Sequence, residues 1–194
     1  MRSDQETLAL FAEIEAQLES GTRQYIPYRE VLARVVAGIG EKLGFVATAS
    51  ETALLAASVP QWKPFPETVP ALRRLKQKYK LGIISNIDDD LLASTQKQLG
   101  INFDLIVTAQ QARSYKPSQN NFLLAIRRIG VPKEKILHVA QSMYHDVIPS
   151  RALGIANVWV NRRSRHKGAG ATKIAMGTPD LEVPDLITLA GLAC

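Results

Sequence analysis

The order of apolar and polar residues divides the chain into a helical first third and an alternating remainder. Apolar residues recur at helical spacing over 5–19 and 27–43, and a shorter helix is predicted over 49–58. Three prolines between residues 59 and 66 then interrupt the pattern. Proline has no amide donor and disfavours helical backbone in the residue before it. We therefore expect an all-helical unit over residues 1–62.

From residue 63 onward, short apolar runs alternate with helical patterns. Four runs predict strands over 81–85, 104–108, 136–140 and 156–160. Helices are predicted around them, over 67–79, 89–99, 118–129 and 146–153. Apolar strands alternating with helices are typical of a parallel sheet buried on both faces. Beyond residue 162 the pattern indicates a loop until a closing helix near Pro184. We predict an α/β core over 63–194.

Composition and charge narrow the classes of function. The chain has 194 residues, of which 46% are hydrophobic and 22% charged, as in ordinary globular proteins. Its net charge of +6 could indicate a nucleic-acid or membrane partner, but the basic residues are scattered apart from the run 162–167. We interpret that run as a solvated loop and expect neither partner. The single cysteine, Cys194, excludes a disulfide framework and a thiolate zinc site. We expect a soluble, cytoplasmic protein.

Polar residues lie at or just after the carboxyl ends of the predicted strands. Strand ends of this kind converge on one crevice in an open parallel sheet, so we expect a common site. The residues concerned are Ser85, Asn86, Lys116, Gln141, Ser142 and Asp146.

Each of these residues also has a purely structural interpretation. Ser85 could cap the following helix, and Asp146 could be the acid that favours a helix N-terminus. Asp88, Asp89 and Asp90 resemble a metal cluster, but we interpret them as helix-start acids. His138 lies within an apolar strand, and we interpret it as a core histidine.

Three motifs together resemble a known family. Ser85-Asn86, Tyr115-Lys116-Pro117 and Val139–Ser142 followed by Asp146 resemble motifs II to IV of the haloacid dehalogenase (HAD) superfamily. The residues of these motifs resemble those of the type II 2-haloacid dehalogenase branch of the superfamily. The resemblance implies a HAD-type Rossmann-like parallel sheet core with an N-terminal helical cap. It also implies cleavage of the carbon–halogen bond of a small 2-haloacid through an aspartyl ester.

The resemblance assigns roles residue by residue. Lys116 stabilises the nucleophilic carboxylate, Asp146 positions the nucleophile and water, and Ser85 completes the catalytic set. The residues expected to bind the small-molecule acid are Asn86, Gln141 and Ser142. No cofactor and no metal are implied, because superfamily phosphatases place a magnesium-binding acid where this chain has Gln141. A phosphatase is therefore the less favoured alternative.

The chain also departs from the family. Phe122 and Met143 stand where the dehalogenases carry Tyr and Asn, and no Asp-x-Tyr-Gly-Thr segment is present. In the family that segment is a central strand, between 81–85 and 136–140, which ends in the nucleophile. We expect an inactive chain whose two inner strands either pair directly or leave a slot, and we leave a homodimer open. We favour a start at an internal Met over a non-catalytic binding module.

Overall fold

The computed structural model describes residues 3–21, 24–162 and 171–194. The helices of this part are α1 Asp4–Gly21, α2 Tyr28–Leu43, α3 Ala49–Ser58, α4 Thr68–Lys76, α5 Asp89–Leu99, α6 Ala109–Ala112, α7 Gln119–Ile129, α8 Ile148–Ala152 and α9 Leu186–Ala193. The strands are β1 Gly82–Ser85, β2 Leu105–Thr108, β3 Leu137–Ala140, β4 Ala156–Val160 and β5 Leu181–Val183. Among the described helices, none is long and apolar enough to cross a membrane.

The predicted helices and strands are confirmed apart from three regions. The short helix α6, Ala109–Ala112, lies where a loop was expected after the second strand. The loop expected after residue 162 contains β5, whose three residues next to Pro184 are too few to show a periodic pattern. The helix expected from 146 begins later, because a wide π-type turn, Met143–Val147, precedes α8. In the basic run, Arg162 pairs with Glu67 instead of being solvated, and 163–167 lie outside the described residues.

The described strands form two parallel sheets with no ladder between them. β1 pairs with β2, while β4 lies between β3 and β5. In the described part of the chain no ladder joins β1 to β3. Of the two outcomes expected for these strands, direct pairing is therefore wrong, and each keeps one edge without a strand neighbour.

The N-terminal helices pack on the α/β part through a mixed apolar cluster. Ile14 of α1 and Val31 and Val35 of α2 lie with Ala109 and Tyr115 of the α/β part in this cluster. Both valines are fully buried. The division into a cap over 1–62 and a core over 63–194 remains our proposal.

Asp88 joins the two parts by hydrogen bonds. Its carboxylate accepts from the backbone N–H groups of Tyr28 and Arg29, each at 2.9 Å, and from the Tyr25 hydroxyl at 3.0 Å. The preceding residue of α2, Pro27, offers no side-chain cap. Asp88 therefore caps α2 from a distant part of the sequence. Its negative charge also interacts favourably with the positive end of the helix dipole.

Replacing Asp88 should destabilise the chain much more than replacing its neighbour Asp90. Asp88→Ala leaves two partly buried N–H groups of α2 without their acceptor, which we expect to lower the free energy of unfolding by about 2–3 kcal/mol. Asp90→Ala removes only an exposed ion pair with Arg29 and should have a much smaller effect. Urea titrations of both variants measure the difference. Equal effects would show that Asp88 does not hold α2.

Candidate active site

A buried ion pair lies at the carboxyl ends of the inner strands. The Lys116 Nζ donates to Asp146 Oδ1 at 2.7 Å and to the Ile84 carbonyl at 3.0 Å. The Lys116 and Asp146 side chains are 10% and 7% exposed. The two residues are therefore close together, as expected, and their catalytic roles stay predictions. The pair also links the end of β1 to the turn that follows β3.

Asn86 fixes the position of Lys116. Its Oδ1 accepts from the Lys116 backbone N–H at 2.7 Å, and its Nδ2 donates to the Lys116 carbonyl at 3.0 Å. One amide thus satisfies both backbone groups of the lysine, which holds the loop against the end of β1. Asn86 therefore positions Lys116, and the substrate contact predicted for Asn86 stays a prediction.

Ser142 organises the turn that carries Asp146. Its Oγ accepts from the His145 N–H at 2.9 Å, and its carbonyl accepts from the Asp146 N–H at 3.1 Å. Pro149 lies in the first turn of α8, where the lack of an amide hydrogen is tolerated. Ser142 therefore caps the turn, and the substrate contact predicted for it stays a prediction.

His138 is a site residue that the sequence interpretation missed. Its Nε2 lies 2.9 Å from Asp146 Oδ1. Its ring packs edge-on against Phe122, with 5.1 Å between ring centroids, as expected of a core histidine. The sequence did contain a signal for this role. His138 is a polar residue within an apolar strand, and its side chain points to the opposite face from that of its neighbour Val139. His138 thus bridges the core and the ion pair.

The electrostatics of the site keep Asp146 ionised. Burial by itself raises the pKa of Asp146, but the Lys116 ammonium and the His138 hydrogen bond outweigh it. The pKa therefore lies well below its ordinary value of 3.8. A carboxylate that two partners stabilise in this way is suited to orient a neighbouring group, and less suited to attack one.

Ser85 and Gln141 have fewer contacts. Ser85 ends β1 opposite Thr108 and has no side-chain hydrogen bond within the described ranges. It does not cap α5, because Asp88 precedes that helix. Gln141 is exposed, and its Oε1 accepts from the Thr172 hydroxyl at 3.5 Å. The catalytic role of Ser85 and the substrate contact of Gln141 stay predictions.

The donor set does not favour a divalent metal. Within residues 3–21, 24–162 and 171–194, no group of three or more His, Cys, Asp and Glu side chains could hold a metal ion. Asp146 is already bonded to Lys116 and His138, and Gln141 is neutral. The aspartates at 88–90 start α5, as we interpreted them. Asp146 and Gln141 therefore do not provide the free anionic oxygens that Mg²⁺ prefers, and the lack of a metal stays a prediction.

Two buried acids of α1 also reach the site, and the sequence interpretation missed both. Glu19 accepts from Asn86 Nδ2 at 3.2 Å with each carboxylate oxygen, and its side chain is 3% exposed. Glu15 accepts from the Tyr28 hydroxyl at 2.8 Å. Their spacing of four residues, which places both on one helix face, was the available signal.

Comparison with known proteins identifies the family. Residues 5–154 match the haloacid dehalogenase-like hydrolases, so the chain belongs to this family of enzymes. It is 28% identical over 164 residues to haloacetate dehalogenase H-2 of Moraxella sp. (strain B), covering 83% of this chain and 70% of that protein. It is 32% identical over 104 residues to (S)-2-haloacid dehalogenase of Pseudomonas putida, covering 52% of this chain and 45% of that enzyme. The alignment thus spans less than half of the second relative.

A solved structure shows the same fold. The L-2-haloacid dehalogenase of Xanthobacter autotrophicus with chloropropionic acid covalently bound superposes with a TM-score of 0.81 at 21% identity. The match covers 97% of this chain and 85% of that one. The predicted HAD-type α/β fold is confirmed.

The ion pair should make the folded chain lose stability in acid, below about pH 4. Because the pKa of Asp146 is lowered on folding, its contribution is complete above the unfolded value of 3.8 and is lost as the pH falls below it. Lys116→Met leaves a buried carboxylate without its cation and should lower the free energy of unfolding at pH 7 by about 3–5 kcal/mol. Urea titrations between pH 3 and pH 7 measure both effects.

A matched control separates the buried pair from an exposed one. Lys76 pairs with Asp104 at the same distance of 2.7 Å, but both side chains are about one third exposed. Lys76→Met should therefore change stability far less than Lys116→Met. Similar losses in the two variants would contradict a special role of the buried pair.

His138 should have a smaller effect than Lys116 on the same carboxylate. His138→Phe keeps an aromatic ring against Phe122 and removes the Asp146 contact. We expect the pKa of Asp146 to rise, but less than in Lys116→Met, because the ammonium is the larger stabilising charge. Carboxyl-carbon NMR of Asp146 measures the pKa. An unchanged value in His138→Phe would return His138 to a core role alone.

Proposed function

We propose that this chain provides the charge-stabilising part of a hydrolase site that cleaves the carbon–halogen bond of a small 2-haloacid. The observation that carries the proposal is the buried Lys116–Asp146 pair, which lies between two parallel strands that lack a common neighbour. The relatives named above support the substrate class, because their names describe haloacetate and 2-haloacid dehalogenases.

The nucleophile in this proposal is a carboxylate from a strand between β1 and β3. Among the described residues no strand pairs with these two edges, and a strand added between them would cover their free backbone groups. A parallel strand in that position would end beside Lys116, whose ammonium already contacts the β1 backbone and Asp146. Residues 1–194 contain no Asp-x-Tyr-Gly-Thr segment, so we propose that they are inactive without such a strand.

The proposed reaction proceeds through a covalent ester. A carboxylate oxygen attacks C2 of the haloacid, and the carbon–halogen bond breaks with its electron pair leaving as halide. Water then attacks the ester carbonyl, which releases the 2-hydroxyacid and a proton and restores the carboxylate. Lys116 stabilises the negative charge on the nucleophile before attack and after hydrolysis. Asp146, held ionised by Lys116 and His138, orients the water.

A phosphatase and a non-catalytic binding module are the alternatives. The neutral, exposed Gln141 does not favour the magnesium chemistry of a phosphatase. A binding module would use the same crevice without a nucleophile. The cap assigned to 1–62, a homodimer, a cytoplasmic location and the lack of a nucleic-acid partner stay predictions.

Supplying the strand should restore chloride release. The 194-residue chain should not turn over 2-chloropropionate or p-nitrophenyl phosphate above background. An N-terminal extension with an apolar strand ending in Asp-x-Tyr-Gly-Thr should release chloride and raise the urea midpoint. The matched extension with Asn in place of that Asp should raise the urea midpoint but should not release chloride. Lys116→Met in the active form should reduce turnover by about 10²–10³-fold.

The outcomes distinguish the alternatives. Turnover by the unextended chain that Lys116→Met abolishes would overturn the proposed source of the nucleophile. Release of phosphate but not chloride by the extended form would favour a phosphatase. A stabilised but inactive extended form would favour the binding module.

A further inference from the structure

The amide of Asn86 has no donor left for a substrate. Its Nδ2 carries two hydrogens. One bonds the Lys116 carbonyl at 3.0 Å, and the other is shared by the two oxygens of Glu19, each at 3.2 Å. A carboxylate that binds to Asn86 must therefore take the place that Glu19 occupies.

Glu19 is part of a buried group with few compensating charges. His145 Nε2 lies 3.3 Å from a Glu19 oxygen but lacks hydrogen-bond geometry and has no other partner among the described residues. Four other titratable groups interact electrostatically with Glu19. They are Glu15 of α1, Tyr28 of α2, and Tyr115 and Lys116 of the segment before α7. Only Lys116 among these four carries a positive charge, and it is already paired with Asp146.

The surroundings of the two acids of α1 favour the protonated form of each carboxyl group. Burial, and then the repulsion from Glu19, raise the pKa of Glu15 to about 7. Burial also raises the pKa of Glu19, although His145 and Asn86 oppose the shift. A second carboxylate at Asn86 would add another negative charge next to this pair, which makes its binding sensitive to their protonation.

We propose that Glu19 is a specificity-determining residue that occupies the anion position at Asn86, so that a carboxylate substrate binds only when Glu19 is displaced or protonated. The inference rests on the proposed function for the substrate class, a small monocarboxylic acid. Binding of such an acid is then coupled to the uptake of a proton. Affinity for the anion should increase as the pH falls from 8 to 6, because Glu15, whose pKa is about 7, takes up a proton in this range and removes one of the two negative charges. Affinity for a neutral amide analogue should not change.

Titration calorimetry on the 194-residue chain tests the inference with acetate, 2-chloropropionate and 2-chloropropionamide as probes. Glu19→Gln removes the charge, and Glu19→Ala also frees the Asn86 amide. At pH 8 we expect both variants to bind the two acids on the order of tenfold more tightly than the unsubstituted chain, with little dependence on pH. Glu13→Gln is the matched control, because Glu13 lies on the exposed face of the same helix and pairs only weakly with Lys42, at 3.7 Å.

The unsubstituted chain provides a second test that does not depend on how the variants fold. Its acetate affinity should rise on the order of tenfold between pH 8 and pH 6, and that of the amide should stay constant. Equal acid affinity at both pH values, or variants that bind like the unsubstituted chain, would overturn the role of Glu19. Tighter acetate binding in the variants without dehalogenation by the strand-extended chain would support Glu19 and reject the proposed function.

Discussion

The Lys116–Asp146 ion pair is the constraint on which the rest of the structure depends. A buried charge is tolerated only when its partner is fixed in place, because an uncompensated one costs several kcal/mol. Lys116 is fixed by Asn86 at the end of β1, and Asp146 is fixed by the turn that Ser142 caps after β3. The pair thus sets the distance between two strands that share no ladder.

The segment between β1 and α5 joins the N-terminal helices to this pair. Asn86 holds Glu19 of α1, and Asp88 caps α2 two residues further on. Asn86 also holds the Lys116 backbone. A displacement of α1 or α2 therefore disturbs contacts of the same short segment that positions the lysine. The apolar packing of the helices determines their arrangement, and these polar contacts determine their register against the site.

The parts of the structure predicted from sequence are those with local signals. The periodicity of apolar residues predicted the limits of β1 and α5. The positions of Lys116 and Asp146 after strand ends predicted that the two side chains lie close together. The contacts of Glu19 and His138 could not be predicted, because they depend on which side chains distant segments bring together. An acid on a helix and a histidine in a strand have the same local pattern whether they meet a site or not. The strand β5 was not predicted for another reason, because three residues are too few to show an alternating pattern.

The site separates its carboxylates into two kinds by their surroundings. Asp146 meets a cation and a ring nitrogen, so its pKa is lowered and its charge is permanent above the acid range. Burial raises the pKa values of Glu15 and Glu19, and repulsion from Glu19 adds to the shift of Glu15. Acids whose pKa values are shifted in opposite directions can be in different protonation states at the same pH, and can therefore have different roles. Asp146 is thereby suited to a fixed electrostatic task, and the α1 acids to one that changes with the proton they carry. Asn86 touches both sides, because it holds the lysine that pairs with Asp146 and the glutamate that faces Glu15.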